Sequence, residues 1–311
     1  MSLEVKNLVK KYGDKTVVND LSFTMDKPGV YALLGTNGAG KTTSIRSILG
    51  MLAFESGEIL WNGGKLDTSK INVGYLAEER GLYPKYTLMD QLLYFAKLKG
   101  VSKEEAKKRI KDWAEKLQVT EYIYPPAVKG KKAKVKKAEE LSKGNQQKIQ
   151  LMAALISDPE LLVLDEPLSG LDPVNADLFK NIIKEEVAKG KYIIMSSHQM
   201  ATIEEFCEDL TIIDKGNVVL QGNLNEIKKS YGRVNLCVKV EGDIENLIKE
   251  ADLTVVNKTP NEYQLKVNKE EDAKVLLEKI LQTNLPLIKF ELREPTLHEI
   301  FVEKVGNVHE E

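Results

Sequence analysis

Three features are scarce in this sequence: cysteine, an excess of basic charge and long apolar runs. Its 311 residues include two cysteines, Cys207 and Cys237, which are too far apart to form a CxxC pair. We therefore expect buried, inert thiols in a reducing compartment. The formal net charge of -2 lacks the basic balance that is typical of nucleic-acid-binding proteins, so no nucleic acid is expected as a partner.

Long apolar segments are missing as well. No run approaches the ~18 residues that a membrane-spanning helix needs. The first residues, MSLEVKNLVKKYGDK, lack the apolar core of a secretory signal. If the protein acts at a membrane, another chain must supply the spanning part.

The length predicts two domains, because a domain usually contains roughly 100–200 residues. In the first part, short apolar runs alternate with helical patterns, which predicts an α/β domain with a mainly parallel sheet. The predicted strands cover 2–10, 15–26, 30–34, 57–63, 72–76, 161–164, 191–197 and 210–214. Helices are predicted from Lys41 to Gly50, within 87–118 with a capping box of Ser102 and Glu105, and from Asp172-Pro173 onward.

The pattern changes near residue 231. Strand, helix, two strands, helix and strand follow in the order β-α-β-β-α-β, which is typical of a ferredoxin-like module. Their ranges are 233–240, 243–251, 253–257, 263–267, 270–282 and 287–292, and Thr296 with Glu299 caps a last helix over 297–305. We expect a first domain at 1–225, with a helical subdomain at about 80–158, and a small α+β domain at 232–311.

Residues 35–43, GTNGAGKTT, follow a predicted strand and open a predicted helix. They match G-x-x-x-x-G-K-[ST], the phosphate-binding loop, in the context that this motif requires. The glycines let backbone amides turn toward an anion, and the helix start adds its positive end. Lys41 would reach the β- and γ-phosphates, and the Thr42 hydroxyl would bind Mg²⁺. The predicted nucleotide-binding residues here are Gly35, Thr36, Asn37, Gly38, Ala39, Gly40, Lys41, Thr42 and Thr43.

The apolar strand 161–164 ends in two acids, Asp165 and Glu166. Buried strands often end in acidic turn residues, so this pair alone says little. Because a phosphate loop precedes it in the chain and SGLD (169–172) follows it, the acid pair here predicts a catalytic site for nucleotide hydrolysis. Asp165 would hold Mg²⁺, directly or through water, and Glu166 would polarise the attacking water.

Further residues make the match specific to one family. LSKGNQQK (141–148) lies about twenty residues before the acid pair and is similar to LSGGQ, the signature sequence of ABC ATPases. His198 follows the strand IIMSS and resembles the switch histidine of that family, and Tyr12 resembles its adenine-stacking aromatic residue. Residues 1–225 thus resemble an ABC-type nucleotide-binding domain, with a P-loop NTPase fold and a helical subdomain.

The resemblance implies a mechanism with ATP and Mg²⁺ as cofactors. Two such domains, as a homodimer or heterodimer, would pair head to tail, with ATP between the phosphate loop of one and the signature loop of the other. Ser142, Gly144 and Asn145 would then contact nucleotide across the interface. Glu166, His198 and Lys41 would be the catalytic residues.

The family also implies a partner. Closure on ATP and opening after hydrolysis would drive an integral membrane permease on a separate chain. The subunit would then be peripheral to the membrane, in the cytoplasm at its inner face. The C-terminal extension and LREPTLHEIFVEKVG (292–306) resemble ATPases of sodium, drug and peptide efflux, which favours export and leaves import open. The extension has no catalytic constellation, so we expect a structural or regulatory role, such as homodimer contact.

Two features depart from the family pattern. Glu78, in YLAEER, stands where the family has a glutamine that senses Mg²⁺ and the permease. A carboxylate can reach metal-bound water, so we expect Glu78 to bind nucleotide and metal and to keep the coupling role. Pro125-Pro126 and six lysines between 129 and 137 extend the link before the signature. That stretch is either a solvated loop or a contact for anionic lipid headgroups or an acidic permease loop.

Two other functions stay open. A soluble ABC ATPase acting on DNA would carry long coiled coils, and one acting on ribosomes would carry two ATPase domains. This chain has one phosphate loop and too few residues between 42 and 141 for a coiled coil. A regulatory subunit that binds ATP without hydrolysis would not need Glu166 and His198.

Overall fold

The computed structural model describes residues 1–79, 81–126, 136–260 and 262–308. The chain divides into two compact units, Met1–Gln221 and Gly222–Glu311. None of the described helices combines the length and the apolar character needed to cross a bilayer. Most of the lysine-rich stretch at 129–137 lies outside the described residues, and its two alternative roles stay predictions.

The first unit alternates strands and helices. Its strands are β1 (Leu3–Tyr12), β2 (Lys15–Met25), β3 (Gly29–Leu34), β4 (Ser56–Trp61), β5 (Gly64–Lys65), β6 (Val73–Leu76), β7 (Leu161–Asp165), β8 (Tyr192–Ser197), β9 (Asp209–Asp214) and β10 (Asn217–Asn223). Its helices are α1 (Lys41–Ile48), α2 (Leu88–Leu98), α3 (Lys103–Lys116), α4 (Thr120–Ile123), α5 (Lys143–Leu155), α6 (Pro173–Ala188) and α7 (Met200–Ile203), with a 3-10 turn at Ala138–Glu140.

The strands of this unit form one sheet in the order β5-β4-β1-β2-β10-β9-β3-β8-β7-β6. Strands β9, β3, β8, β7 and β6 are parallel, as the continuous apolar runs predict. The N-terminal part is antiparallel, because β1 and β2 are joined by a tight turn at Gly13 and β4 then pairs with β1. The prediction of a mainly parallel sheet therefore holds from β9 to the edge strand β6 and for the pair β10 and β2, whereas β1, β4 and β5 make antiparallel pairs.

Parallel pairing determines which residues meet at one edge of the sheet. Strand β8 lies between β3 and β7, with Ser197 opposite Leu34 and Ser196 opposite Asp165. The carboxyl ends of these three strands therefore lie side by side, which is where open α/β sheets bind ligands. The phosphate loop follows β3, Asp165 ends β7 with Glu166 directly after it, and His198 follows β8.

Side-chain caps begin the longer helices of this unit. Thr87, Ser142 and Asp172 each accept a hydrogen bond from a backbone amide three residues on. Ser102 caps α3 in the same way, as predicted. A capping box would also need the Ser102 amide to donate to the Glu105 carboxylate. That carboxylate instead accepts a hydrogen bond from Arg109 Nε at 2.7 Å, which makes an i,i+4 ion pair.

The second unit contains α8 (Leu224–Tyr231), β11 (Asn235–Val240), α9 (Glu245–Glu250), β12 (Thr254–Thr259), β13 (Glu262–Lys266), α10 (Glu270–Leu281), β14 (Leu287–Arg293) and α11 (Leu297–Val308). Its sheet has the order β12-β13-β11-β14 with every neighbouring pair antiparallel. Apolar residues of one sheet face pack with those of α9 and α10 into a separate core. This is the ferredoxin-like arrangement that the element order predicts.

Helix α11 is anchored to the sheet of the second unit by Glu299. Its carboxylate accepts two hydrogen bonds from the Arg293 guanidinium, both 2.9 Å long, one from Asn235 Nδ2 at 2.8 Å and one from the Thr296 amide at 2.7 Å. Burial alone would raise the pKa of Glu299. The bonds from Arg293 and Thr296 outweigh burial and lower the pKa to about 2.

This anchor predicts an acid-dependent loss of stability. Because the folded pKa lies below the ordinary value of 4.5, the contribution of Glu299 is fully present above pH 4.5 and is lost as the pH falls toward 2. We expect Glu299→Gln to be less stable than the wild type at pH 6 and to approach it at pH 2.5. Urea unfolding followed by circular dichroism at both pH values measures the difference. An equal gap at the two pH values would contradict this role of the carboxylate.

Candidate nucleotide site

The loop between β3 and α1 depends on its glycines. A Cβ on Gly35 would lie 2.2 Å from Ile213 O, and a Cβ on Gly40 would lie 2.5 Å from Val17 O. Gly40 also has a φ of 112°, which L side chains rarely adopt. The loop therefore packs closely on β2 and β9. No described side chain caps α1, and its first turn contains no acid, so its first amides can bind an anion.

Lys41 brings a positive charge into this loop. Its side chain is 6% exposed. Its ammonium donates hydrogen bonds to the carbonyl oxygens of Gly35 at 2.9 Å and Thr36 at 3.1 Å, and it lies 3.2 Å from Glu166 Oε1. A bound phosphate would compete with the Glu166 carboxylate for this charge.

Asp165 presents a buried carboxylate beside the phosphate loop. It is completely buried, and its Oδ1 accepts from Ser196 Oγ at 2.6 Å and from Thr42 Oγ1 at 3.2 Å. Its Oδ2 is buried and has no hydrogen-bond partner among the described residues. Burial raises the pKa of Asp165, against the lowering effect of those two hydroxyls. A divalent cation at Oδ2 would offset the cost of this buried charge.

The donors present fit Mg²⁺ rather than an all-protein metal site. Among the described residues, no group of three or more His, Cys, Asp or Glu side chains is arranged so that it could hold a metal ion. Mg²⁺ usually takes one or two protein oxygens and completes its shell with water and substrate phosphates. The Thr42 hydroxyl and the Asp165 carboxylate, 3.2 Å apart beside the phosphate loop, provide those two oxygens.

Glu166 is held in an unusual backbone conformation. Its φ is 50°, which is uncommon for a residue other than glycine and costs strain at functional sites. The amide donates to Ser196 Oγ at 2.9 Å, and the carboxylate Oε2 lies 2.9 Å from His198 Nδ1. The other carboxylate oxygen, Oε1, lies 3.2 Å from the Lys41 ammonium, and Glu166 is 4% exposed. Contacts on both oxygens therefore hold this carboxylate in place.

Several predicted residues surround one cavity of about 290 Å³. It is lined by Val17, Asn37, Gly38, Gly40, Lys41, Thr42, Thr43, Glu78 and Glu166. Glu78 therefore lies beside the phosphate loop, and its role toward nucleotide and metal stays a prediction. Val17 was not predicted, because it belongs to β2 and reaches the loop only through the fold of the sheet.

Other predicted residues do not line this cavity. Ala39 is buried, and its amide donates to Thr36 O at 3.2 Å. The same carbonyl oxygen of Thr36 also accepts the hydrogen bond from the Lys41 ammonium. Tyr12, at the end of β1, is 51% exposed, with the Lys10 ammonium 5.0 Å from its ring centre. The exposed ring is accessible for stacking.

The signature residues also lie away from the cavity of their own chain. Ser142 caps α5 by accepting from the Asn145 amide at 3.3 Å, and Asn145 Nδ2 donates to the Tyr122 hydroxyl at 3.2 Å. A Cβ on Gly144 would lie 3.6 Å from Leu171, which is ordinary contact, so packing within the chain does not require glycine there.

Two residues with a clear part in the site were missed. Ser196 bonds to both acids, and Gln147 Nε2 donates to Pro167 O at 2.6 Å, which ties α5 to the segment after Glu166. Polar residues at the end of the apolar run YIIMSS were a visible signal for Ser196. Gln147 lies within LSKGNQQK, but nothing in the sequence indicates which strand end it contacts.

The buried charge of Asp165 leads to a prediction. Asp165→Asn removes that charge and keeps an oxygen that can accept from Thr42 and Ser196. In EDTA we expect a melting temperature equal to that of the wild type or higher by about 2–4 °C, the shift that ~1 kcal/mol produces in a unit of this size. Mg²⁺ with ATP should then stabilise the wild type more than the variant. A melting temperature several degrees lower in EDTA would mean that the carboxylate is needed for folding.

The sequence matches two protein families in succession. Residues 18–169 match the ABC transporter family. Residues 222–305 match the C-terminal domain of DrrA1-3-like ATP-binding proteins. The two matches fall on the first and second units of the structure, respectively.

Relatives align along most of the chain. The uncharacterized ABC transporter ATP-binding protein YhaQ of Bacillus subtilis (strain 168) is 43% identical over 309 residues, which are 99% of this chain and 100% of YhaQ. The linearmycin resistance ATP-binding protein LnrL of the same organism is 32% identical and covers 98% of each chain. The Nod factor export ATP-binding protein I of Burkholderia lata is 34% identical over 71% of this chain and 70% of its own.

Solved structures share the fold of the first unit. An ATP-binding subunit of an ABC transporter superposes with a TM-score of 0.66 at 31% identity, over 75% of this chain and 94% of that one. MJ1267, an ATP-binding cassette of an ABC transporter, gives a TM-score of 0.61 at 24% identity, which shows the fold alone. With a relative at 43% identity over 99% of the chain and a phosphate loop beside a buried acid pair, this chain belongs to the ABC transporter ATP-binding proteins.

Proposed function

We propose that this chain hydrolyses ATP with Mg²⁺ and that hydrolysis drives a separate membrane permease, in the direction of export. The observation that carries the proposal is the position of Glu166. Its carboxylate contacts His198 and Lys41, and it follows directly on Asp165, whose free buried oxygen suits a cation. A subunit that only binds ATP would need neither the strained Glu166 backbone nor its bond to His198.

Each residue of the site has a proposed task. Lys41 and the first amides of α1 bind the phosphates, and Thr42 with Asp165 holds Mg²⁺. The bound cation would neutralise charge that develops on the phosphates. Glu166 orients the attacking water and accepts its proton, and His198 holds the Glu166 carboxylate at 2.9 Å. Ser196 fixes the backbone of Glu166 through the 2.9 Å bond from its amide.

The signature residues support a site shared between two chains. Ser142, Gly144 and Asn145 are absent from the lining of the phosphate cavity of their own chain. Ser142 opens α5, whose first turn contains no acid, so this helix start favours an anion that approaches from outside. We therefore propose that a second ATP-binding subunit presents these residues to the γ-phosphate, as homodimer or heterodimer.

An exposed aromatic patch supports the permease partner. Tyr83, Tyr86 and Tyr94 are 48%, 61% and 47% exposed, and Leu98 beside them is 63% exposed. Clustered exposed aromatic residues are typical of protein contacts. The patch begins five residues after Glu78, so a partner bound here can act on the phosphate cavity through one short segment. A subunit bound to a permease in this way would be cytoplasmic, at the inner face of the membrane.

The names of two relatives support export. LnrL is described as a linearmycin resistance protein and protein I as a Nod factor export protein. We propose the same direction of transport for the permease driven by this chain. The transported substrate is expected to be selected by the permease.

Hydrolysis is tested by Glu166→Gln. The amide cannot accept a proton from water, so we expect steady-state phosphate release to fall at least ~100-fold, the usual effect of a general base. ATP binding should persist, because Lys41 and the loop remain. Glu208→Gln, which removes a surface carboxylate paired with Lys27, is the control and should keep the wild-type rate. Equal rates for wild type and Glu166→Gln would favour a regulatory, binding-only subunit.

Coupling through Glu78 is tested with the purified complex of ATPase and permease. Glu78 lines the phosphate cavity, whereas the neighbouring Glu79 does not. We expect Glu78→Ala to lose most of the permease-stimulated hydrolysis, and we expect Glu79→Ala to retain it. Glu78→Gln should also retain it, because glutamine can still bind metal-bound water. Full stimulation in Glu78→Ala would show that this residue has no coupling role.

A further inference from the structure

The sheet of the second unit has a polar face opposite its core. Residues of β11, β13 and β14 alternate, so the apolar members point to α9 and α10 and the others point away. On this outer face Asn235 pairs across the strands with Lys266 and Arg293. Helix α11 lies on this row, because Glu299 contacts both Asn235 and Arg293.

A cleft of about 410 Å³ opens where α11 meets this face, a size typical of small-molecule sites. Its apolar walls include Val234, Val256, Pro295 and Val302. Its polar lining consists of Tyr231, Asn235, Cys237, Gln264, Lys266, Arg293, His298, Glu299 and Glu303. All these residues belong to the second unit, and none of them is part of the nucleotide site.

Tyr231 contributes a buried hydroxyl to this cleft. Its hydroxyl is buried and has no hydrogen-bond partner among the described residues. Such a buried group costs free energy unless a partner is supplied, and native proteins contain few of them. Tyr231 lines the cleft, so a molecule bound there can supply the missing acceptor with a small movement of the ring.

The surrounding charges determine what kind of molecule fits. The Glu299 carboxylate is fully used by Arg293, Asn235 and Thr296. Among the described residues Lys266 has one ion-pair partner, Glu303 at 3.8 Å, which leaves its ammonium with donors for a ligand. Gln264 and His298 make no side-chain hydrogen bond within the described chain and can add donors. The cleft thus combines spare donors with an apolar wall.

We propose that this cleft binds a small amphipathic carboxylate. The carboxylate head accepts hydrogen bonds from Lys266, Gln264 and Tyr231, and the hydrocarbon body packs on Val256 and Val302. The C-terminal unit is then a ligand-binding module, and this property does not depend on ATP hydrolysis.

Calorimetric titration of the full chain without nucleotide tests the proposal. The probes are the straight-chain carboxylates from butyrate to decanoate and the alkylamines of the same lengths. We expect affinity for the carboxylates to rise roughly fourfold per added methylene until the cleft is filled. Octanoate should bind at least ~10-fold more tightly than octylamine, because Lys266 and Gln264 offer donors whereas the lining carboxylates Glu299 and Glu303 are already paired with Arg293 and Lys266. No binding by any carboxylate, or equal binding of acid and amine, would overturn the proposal.

Three variants locate the site. Lys266→Gln should weaken octanoate binding by about tenfold, whereas Lys289→Gln, on the same sheet but paired with Glu291 and outside the cleft lining, should not. Val302→Trp should fill the cleft and abolish binding, with the circular dichroism spectrum unchanged. If it binds octanoate like the wild type, the site lies elsewhere.

Tyr231→Phe separates a ligand role from a structural one. Removing a buried hydroxyl that lacks a partner should leave the free protein equally stable or more stable in urea. The same variant should bind octanoate several-fold more weakly. A clear loss of stability without any change in octanoate affinity would mean that Tyr231 serves the fold alone.

Discussion

One hydroxyl holds both acids of the nucleotide site in place. Ser196 Oγ donates to Asp165 Oδ1 at 2.6 Å and accepts from the Glu166 amide at 2.9 Å. The parallel register of β7 and β8 puts Ser196 directly opposite Asp165. Consecutive carboxylates would otherwise repel each other in a buried place. Here one turns toward Thr42 and the other toward Lys41 and His198, which separates the proposed metal-binding role from the proposed catalytic one.

The parts of this site that the sequence predicts are those whose geometry is local. The phosphate loop needs a strand, a glycine turn and a helix start in succession, and all three are readable from residues 30–50. The acid pair is readable as the end of an apolar strand. Ser196 and Gln147 were missed because their partners are 31 and 20 residues away, and strand register decides the contact. Glu105 shows the same limit at short range, since Arg109 takes the carboxylate that a capping box would use.

In the second unit the sequence predicts the order of strands and helices, but it does not predict which face of the sheet α11 covers. Alternation within single strands predicts β-α-β-β-α-β, and the capping box of Thr296 and Glu299 forms in full. The same pattern cannot show which face α11 covers, because that depends on Glu299 reaching Asn235 and Arg293 in other strands. The cleft beside Tyr231 lies between this anchored helix and the sheet, so single strands do not reveal it.

The proposed completion of the nucleotide site by a second chain is tested most directly by mixing two inactive variants. Lys41→Ala disables the phosphate loop, and Ser142→Arg blocks the signature loop. Each variant alone should be inactive in phosphate release. In a head-to-tail dimer formed from both, one site keeps an intact Lys41 and an intact Ser142, so the mixture should regain hydrolysis. Full activity of Ser142→Arg alone, or a mixture as inactive as its components, would contradict the shared site.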